Sequence, residues 1–286
     1  MRKFILSVCA AALATSVQAA SVWKVENGSN TLYLGGTLHI LSPSDYPLPA
    51  PYEEAYKEAD TLVFETDIGA LTSPEFAEKS ASLLTYSGTK TLRDDIKDKT
   101  LAALAEHLKS RGVPLERFMK LKPALVGISL SLMEYQRIGL TSQGVDNYFY
   151  TKGMGEGKTL DWFETPEDQL GFIAKLGEGE EDAYIQYTLD DLEKMPGMVG
   201  EMKKDWRKGD IASLYENNIE EFVAEYPSIY ENLLTDRNIN WLPKLKALMA
   251  TPETEFVLVG TLHMPGKDGV LDLLKREGYT ITQLSE

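Results

Sequence analysis

Two tetrapeptides in this chain are identical, Gly36-Thr37-Leu38-His39 and Gly260-Thr261-Leu262-His263, and between them they hold two of its three histidines. Each follows an apolar run, Leu32-Tyr33-Leu34 in one case and Phe256-Val257-Leu258-Val259 in the other. A histidine three residues after a glycine, just past a strand, sits on a tight turn where the missing side chain lets a ligand reach the backbone. Two carboxylates occupy comparable places: Glu65 follows Leu62-Val63-Phe64, and Glu164 follows Trp162-Phe163. In open α/β sheets, sites are built at the carboxyl ends of strands. If the four strands are parallel neighbours, two imidazoles and two carboxylates converge at one rim. Imidazole with carboxylate is the ligand set of catalytic zinc and also suits manganese or cobalt. An ion held this way lowers the pKa of a bound water and polarises a carbonyl.

Plainer explanations compete at each residue. A single histidine after a strand is more often a turn or capping residue than a ligand. Glu65 could cap a helix or lie in solvent, Asp67 reads as a loop turn, and Glu164-Thr165-Pro166 could simply open a helix. The recurrence of one context at His39 and His263, with carboxylates in matching ones, favours chemistry. His107 has no such glycine and reads as a surface or half-buried helix residue. Gly153 to Thr159 looks like a phosphate loop, but Lys152 stands where that motif needs glycine, and a turn before the next strand accounts for it better. There is no His-Glu-x-x-His helix and no Gly-x-Ser-x-Gly elbow.

The elements that must position these residues follow from periodicity. Strands are expected at Leu32 to Gly35, Thr61 to Phe64, Thr159 to Phe163 and Phe256 to Val259, with shorter ones at Ser21 to Val25 and Tyr279 to Gln283. Helical spacing marks Pro51 to Asp60, a helix capped by Ser73, and Thr100 to Arg111 ending at Gly112. From about Pro123 to Met249 the chain reads as almost all helix apart from the Trp162 strand: Pro123 to Arg137, Pro166 to Leu176, Asp210 to Val223 and Asn240 to Met249. Gly177 to Asp182 reads as a solvated connector. No Pro-rich or Ser-rich linker divides the chain. The fold expected is α/β, bordering on α+β: one domain over residues 20–286, whose central mixed sheet joins two related strand-loop-helix portions around a helical insertion.

Composition bounds the partners. With 29 Lys+Arg against 44 Asp+Glu the net charge is -15, and 43% of residues are hydrophobic, as in a globular protein with a substantial core. A surface of this sign repels a phosphate backbone, so nucleic acid is not an expected partner. Residues 1–19 read as a secretory signal: basic Met1-Arg2-Lys3, an apolar run from Phe4 to Ala14, and a small-residue site at Val17-Gln18-Ala19. The expected location is periplasmic or secreted. The run is too short for a membrane span, and none occurs later. Cleavage removes Cys9, the one cysteine, so a metal site must be built from imidazole and carboxylate.

The same residues resemble the TraB/GumN family, related to the Tiki metalloproteases. The resemblance rests on the Gly36 to His39 junction, Leu48-Pro49, Glu58-Ala59-Asp60 and Leu62 to Asp67. It continues through Gly144-Val145-Asp146, Trp162 to Leu170 and Arg237-Asn238, and ends with Gly260 to His263, Gly266, Gly269-Val270, Leu273-Leu274 and Gly278-Tyr279. It implies two related α/β portions around a central sheet and, for the Tiki branch, metal-dependent peptide cleavage. Carried onto this chain, it makes His39 and His263 ligands of a divalent metal and Glu65 and Glu164 ligand or general base. Asp146, Arg237 and Asn238 become supporting residues, the arginine able to hold a carboxylate or steady an oxyanion. The leading expectation is therefore a metal-dependent hydrolase acting on a peptide or small-molecule substrate. The alternatives are a non-catalytic protein that binds a peptide or signal molecule in the same cleft, and a metal-independent His/Glu esterase. A shared zinc-sized ion requires His39 and His263 to lie within about 8 Å of each other.

Overall fold

The two apolar runs that lead into Gly-Thr-Leu-His pair directly with one another. A computed structural model describes residues 19–285; the expected signal peptide, apart from Ala19, lies outside the described residues. Six strands, β1 (Ala19–Asn27), β2 (Asn30–Thr37), β3 (Thr61–Thr66), β4 (Thr159–Glu164), β5 (Glu255–Gly260) and β6 (Thr280–Ser285), form one mixed sheet in the order β4-β3-β5-β2-β1-β6. β2 runs parallel to β5 with Thr37 opposite Gly260. β3 is parallel to β5 and to β4, with Thr66 opposite Glu164. The condition set by the sequence is met: four neighbouring parallel strands deliver His39, His263, Glu65 and Glu164 to one rim. β1 is antiparallel to both β2 and β6 and lies outside that block.

The helices follow in chain order: α1 (Ala50–Glu58), α2 (Pro74–Leu84), α3 (Asp98–Ser110), α4 (Pro123–Arg137), α5 (Val145–Glu156), α6 (Pro166–Ala174), α7 (Glu181–Lys208), α8 (Ile211–Asn218), α9 (Glu220–Glu225), α10 (Pro227–Tyr230), α11 (Asp236–Leu248) and α12 (Val270–Arg276). One sheet face, carrying Tyr33, Phe64, Phe256 and Leu258, packs on Tyr52 and Tyr56 of α1, Phe149 of α5 and Trp206 of α7. The opposite face, with Val63, Val257 and Val259, packs on Trp241 and Leu245 of α11 and on Leu271 and Leu274 of α12. Strands buried on both faces read as continuous apolar runs, which is why these were legible. A separate core joins α3, α4 and α7 through Leu104, Leu108, Val126, Leu130, Ile185 and Leu192.

Several boundaries differ from expectation for identifiable reasons. Ser73 caps α2 by accepting from Phe76 N at 3.1 Å, as its placement predicts. Gly153 to Glu156, expected as a turn, form the last turn of α5, and only Gly157, left-handed at φ 73, breaks it. Gly153 is helical because a bare face is needed there: a Cβ would stand 2.6 Å from a methyl of Leu62. The helix expected over 210–223 is two, α8 and α9. The last middle helix begins earlier than Asn240: a π-helical turn over Glu231–Thr235 runs into α11 at Asp236. The polar run Asp236-Arg237-Asn238 imitates a loop because Arg237 and Asn238 are buried by the site.

The first junction is anchored from two helices. Gly36 O accepts from Tyr52 Oη at 2.5 Å and from Trp206 Nε1 at 2.7 Å. Trp206 Nε1 also reaches Tyr52 Oη at 2.7 Å, and Trp206 O accepts from Ser21 Oγ. Buried polar groups of this kind cost about 1–3 kcal/mol when a partner is removed. Trp206→Phe is expected to lower unfolding stability by about that amount in a urea titration; no measurable change would show that the anchor contributes nothing.

Candidate active site

Arg237, the second residue of α11, is the most heavily committed polar group at the rim. Its Nε and Nη2 donate to Glu164 Oε1 and Oε2, each at 2.8 Å, and Nη2 also donates to Glu65 Oε2 at 2.5 Å. Nη1 donates to Leu233 O and to His263 Nε2, both at 3.3 Å. All five guanidinium hydrogens are thus used. The plane lies between the rings of Phe172 and Trp241, 5.3 and 4.9 Å from their centroids. Burial works against the charged guanidinium, but Glu65 and Glu164 outweigh it and hold the arginine firmly ionised.

The two glutamates are not equivalent. Glu164 Oε1 accepts from Arg237 and from Trp241 Nε1 at 2.7 Å, and Oε2 from Arg237 and from Gln169 Nε2 at 3.1 Å. Both of its oxygens are engaged by two donors. Glu65 shares Arg237 and Gln169 on Oε2, whereas Oε1 has one donor, the Gly260 N–H at 2.6 Å, and faces His263 Nε2 at 3.9 Å. Burial pushes Glu65 upward, but Arg237, His39 and the Gly260 N–H overcome it and hold the carboxyl well below the usual range.

The imidazoles are oriented by the same device in two environments. His263 is buried, and because arginine can only donate, its Nε2 accepts and its Nδ1 donates to Asn238 Oδ1 at 2.7 Å. Asn238 is oriented in turn by donating Nδ2 to Asp268 O at 2.9 Å. Burial pushes the His263 imidazole down to about 3. His39 sits 62% exposed on the cleft wall with Nδ1 3.2 Å from Asp146 Oδ2, and that carboxylate raises it to about 9, less the screening its exposure allows. Asp146 is delivered by the start of α5, which docks on the junction through Val145 N to Leu38 O at 3.0 Å. Gly144 is required at that crossing, since a Cβ would collide with the Leu38-His39 backbone.

These groups meet over Gly260. A Cβ placed on it would lie 3.2 Å from Glu65 Oε1, 3.5 Å from His263 Cδ2 and 3.8 Å from His39 Nε2. The two rings therefore satisfy the about 8 Å limit for a shared ion. Gly36 is needed for the same approach, because a Cβ there would stand 2.7 Å from Thr261 Oγ1. Asp67 is the loop turn expected, accepting from Gly69 N at 3.0 Å. His107 is half-buried in α3 beside Glu134, at 3.9 Å, and takes no part. Two members had not been singled out: Gln169, which bridges both glutamates, and Trp241, whose ring lies 4.5 Å from that of His263. The spacing of Arg237, Asn238 and Trp241 on one helix face was the signal for the second.

Among the described residues no three His, Cys, Asp or Glu side chains are close enough to form a ready metal cage. The 3.9 Å between His263 Nε2 and Glu65 Oε1 exceeds the about 3.4 Å that bonds of about 2.1 Å in a tetrahedron would give. The donor set nevertheless fits a divalent ion. Both Nδ1 atoms are held by outer partners, His39 Nε2 and His263 Cδ2 border the hollow above Gly260, and carboxylates outnumber the single guanidinium three to one.

The perturbed groups give the site a signature in acid. Below pH 6.5 the unfolded chain takes up a proton that folded His263 refuses down to about 3, so its contribution to stability falls with falling pH. Glu65 adds in the same direction below 4.5. His39, raised to about 9, stabilises fully below 6.5 and loses that contribution only as pH rises through 9. Glu255, which burial raises to about 7, opposes His263 by stabilising as pH falls toward 4.5. The readout is therefore a difference: His263→Gln should lose less Tm than the wild type between pH 6.5 and 4.5. Parallel Tm profiles would contradict a neutral buried His263.

The chain matches the TraB/PrgY/gumN family over residues 21–283. It is 24% identical over 249 residues to the uncharacterized protein YbaP of Escherichia coli K12, covering 87% of this chain and 89% of the relative. The uncharacterized protein YbaP of Shigella flexneri gives the same identity and coverage. No solved structure matches significantly. With a match that spans both Gly-Thr-Leu-His junctions and every element that supplies the site, the chain belongs to the TraB/PrgY/gumN family.

Proposed function

We propose that this protein is a metal-dependent hydrolase of a carbonyl compound, peptidase-like in its chemistry. The observation that carries the reading is the meeting of His39 Nε2, the His263 ring and Glu65 Oε1 over Gly260. Those three residues would hold a divalent ion, zinc, manganese or cobalt, which when bound supplies Lewis acidity and a water of lowered pKa. Asp146 and Asn238 fix the ring orientations by holding each Nδ1. Glu65 is assigned the ligand or general-base role because Oε1 retains an unused lone pair. Glu164, with four donors on two oxygens, holds Arg237 in place. Were His263 Nε2 to bind the ion, it would release one Nη1 hydrogen of Arg237, and that hydrogen would steady negative charge on the carbonyl oxygen.

One observation favours a second reading. Arg237 Nη1 rests on His263 Nε2, where an ion would bind, while His39, paired with Asp146, presents a free Nε2 to the cleft. That arrangement suits a metal-free mechanism in which cationic His39 is the acid that protonates the leaving group and Glu65 is the base. Chelation separates the two: hydrolysis that survives complete metal removal supports the second.

Metal analysis tests the first. Purified protein should bind about one divalent ion, and His39→Ala and His263→Ala should each abolish stoichiometric binding. Asp146→Asn should weaken affinity by about 10–100-fold, as loss of an outer partner does. Unchanged metal content in both alanine variants would remove the metal site.

A further inference from the structure

The cleft over the site is far larger than the site itself. It holds about 640 Å³; His39, Glu65, Arg237 and His263 line the end formed by the strand termini, while Asp191 and Lys203 are the charged residues of the α7 wall, whose remaining lining is mainly apolar. The rest is a trough between α4, α7 and the π-helical turn before α11. Its α7 wall includes Tyr184, Leu192, Met195, Met198, Val199 and Met202, spaced as one helix face. From Tyr184 to Met202 that face runs for about 27 Å. Leu132 of α4 stands opposite, with Leu233 and Leu234 near the catalytic end.

Two features show that this face awaits an occupant. Leu132 and Met198 are 47% and 40% exposed although both line the cleft among other apolar side chains. Methionine, unbranched and adaptable, lines sites that accept flexible apolar chains. The walls are helical and offer no strand edge, so an extended peptide would find no main-chain ladder to pair its amides. An aliphatic chain has no such groups to satisfy.

We infer that the trough takes the aliphatic acyl chain of an N-acyl or O-acyl substrate whose carbonyl lies at the His39, Glu65, Arg237 and His263 end. This rests on the hydrolase reading and names its substrate class. Water adds its oxygen to the acyl carbon, the C–N or C–O bond breaks, the leaving amine or alcohol takes the proton, and a fatty acid is released. No other reactant is needed.

Binding can be tested apart from hydrolysis with neutral primary amides, from butanamide to octanamide, followed by intrinsic fluorescence, since Trp241 lies against His263. Affinity should rise by up to about fourfold per added methylene. A Leu132→Gln/Met198→Gln double variant, altered only at exposed positions, should flatten that rise while leaving butanamide affinity and Tm unchanged. A leucine-rich peptide amide of matching length should bind more weakly than octanamide. Affinity that ignores chain length, a series unaltered in the variant, or tighter binding of the peptide would each overturn the inference. Amides that bind with the expected length dependence, without turnover of any acyl ester or amide, would leave the trough standing and remove the hydrolase. Hydrolysis indifferent to acyl length would do the reverse.

Discussion

One buried guanidinium organises the rim. Arg237 is held by two carboxylates from different strands, a carbonyl from the preceding turn and an imidazole from a third strand end. Taking such charges from water costs several kcal/mol per ion, and only saturated geometry returns it. Here the geometry is saturated, so removal of any member leaves another buried without its partner. This explains why Glu164 is buried on an edge strand and why Gln169 and Trp241 turn inward. It also explains how α11 can begin with three polar residues and still pack: the charge they bury is already matched.

The repeated junction supplies two imidazoles but not two copies of one environment. Register and local conformation separate them: Thr37 pairs with Gly260, so the second motif lies one step along from the first, and Thr261–His263 coil into a 3-10 turn whereas Thr37 ends β2. His263 turns into the sheet end, loses solvent and is held neutral by burial and Asn238. His39 stays on the open wall beside Asp146 and keeps a cationic preference. A ligand entering the cleft meets an exposed, charge-biased ring first and a fixed neutral acceptor behind it.

Much of this was legible in residue order. Continuous apolar runs ending in glycine or a carboxylate gave away β2, β3 and β5, because strands covered on both faces need no alternation, whereas the half-buried edge strand β4 was marked by its aromatic pair Trp162-Phe163 before Glu164. Their parallel adjacency could be posed only as a condition, since pairing depends on contacts made across the whole chain. The start of α11 was hidden because Arg237 and Asn238 look like loop residues until their partners are known. The last turn of α5 was hidden by its glycines, which serve close packing on Leu62 rather than a turn. The hydrogen-bond saturation of Glu164 belongs to geometry that no spacing rule reports.

The central claim is that the empty side of Gly260 is the point where His39, His263 and Glu65 act together. The backbone there, φ -48 and ψ 134, is open to alanine, so Gly260→Ala adds one methyl at the meeting point, where Glu65 Oε1 at 3.2 Å must give slightly while the chain need not move. The direct measurement is divalent-ion content of this variant beside its urea unfolding midpoint. The account predicts cooperative unfolding close to that of the wild type, with metal binding lost. A folded Gly260→Ala protein that binds the ion as the wild type does would contradict it.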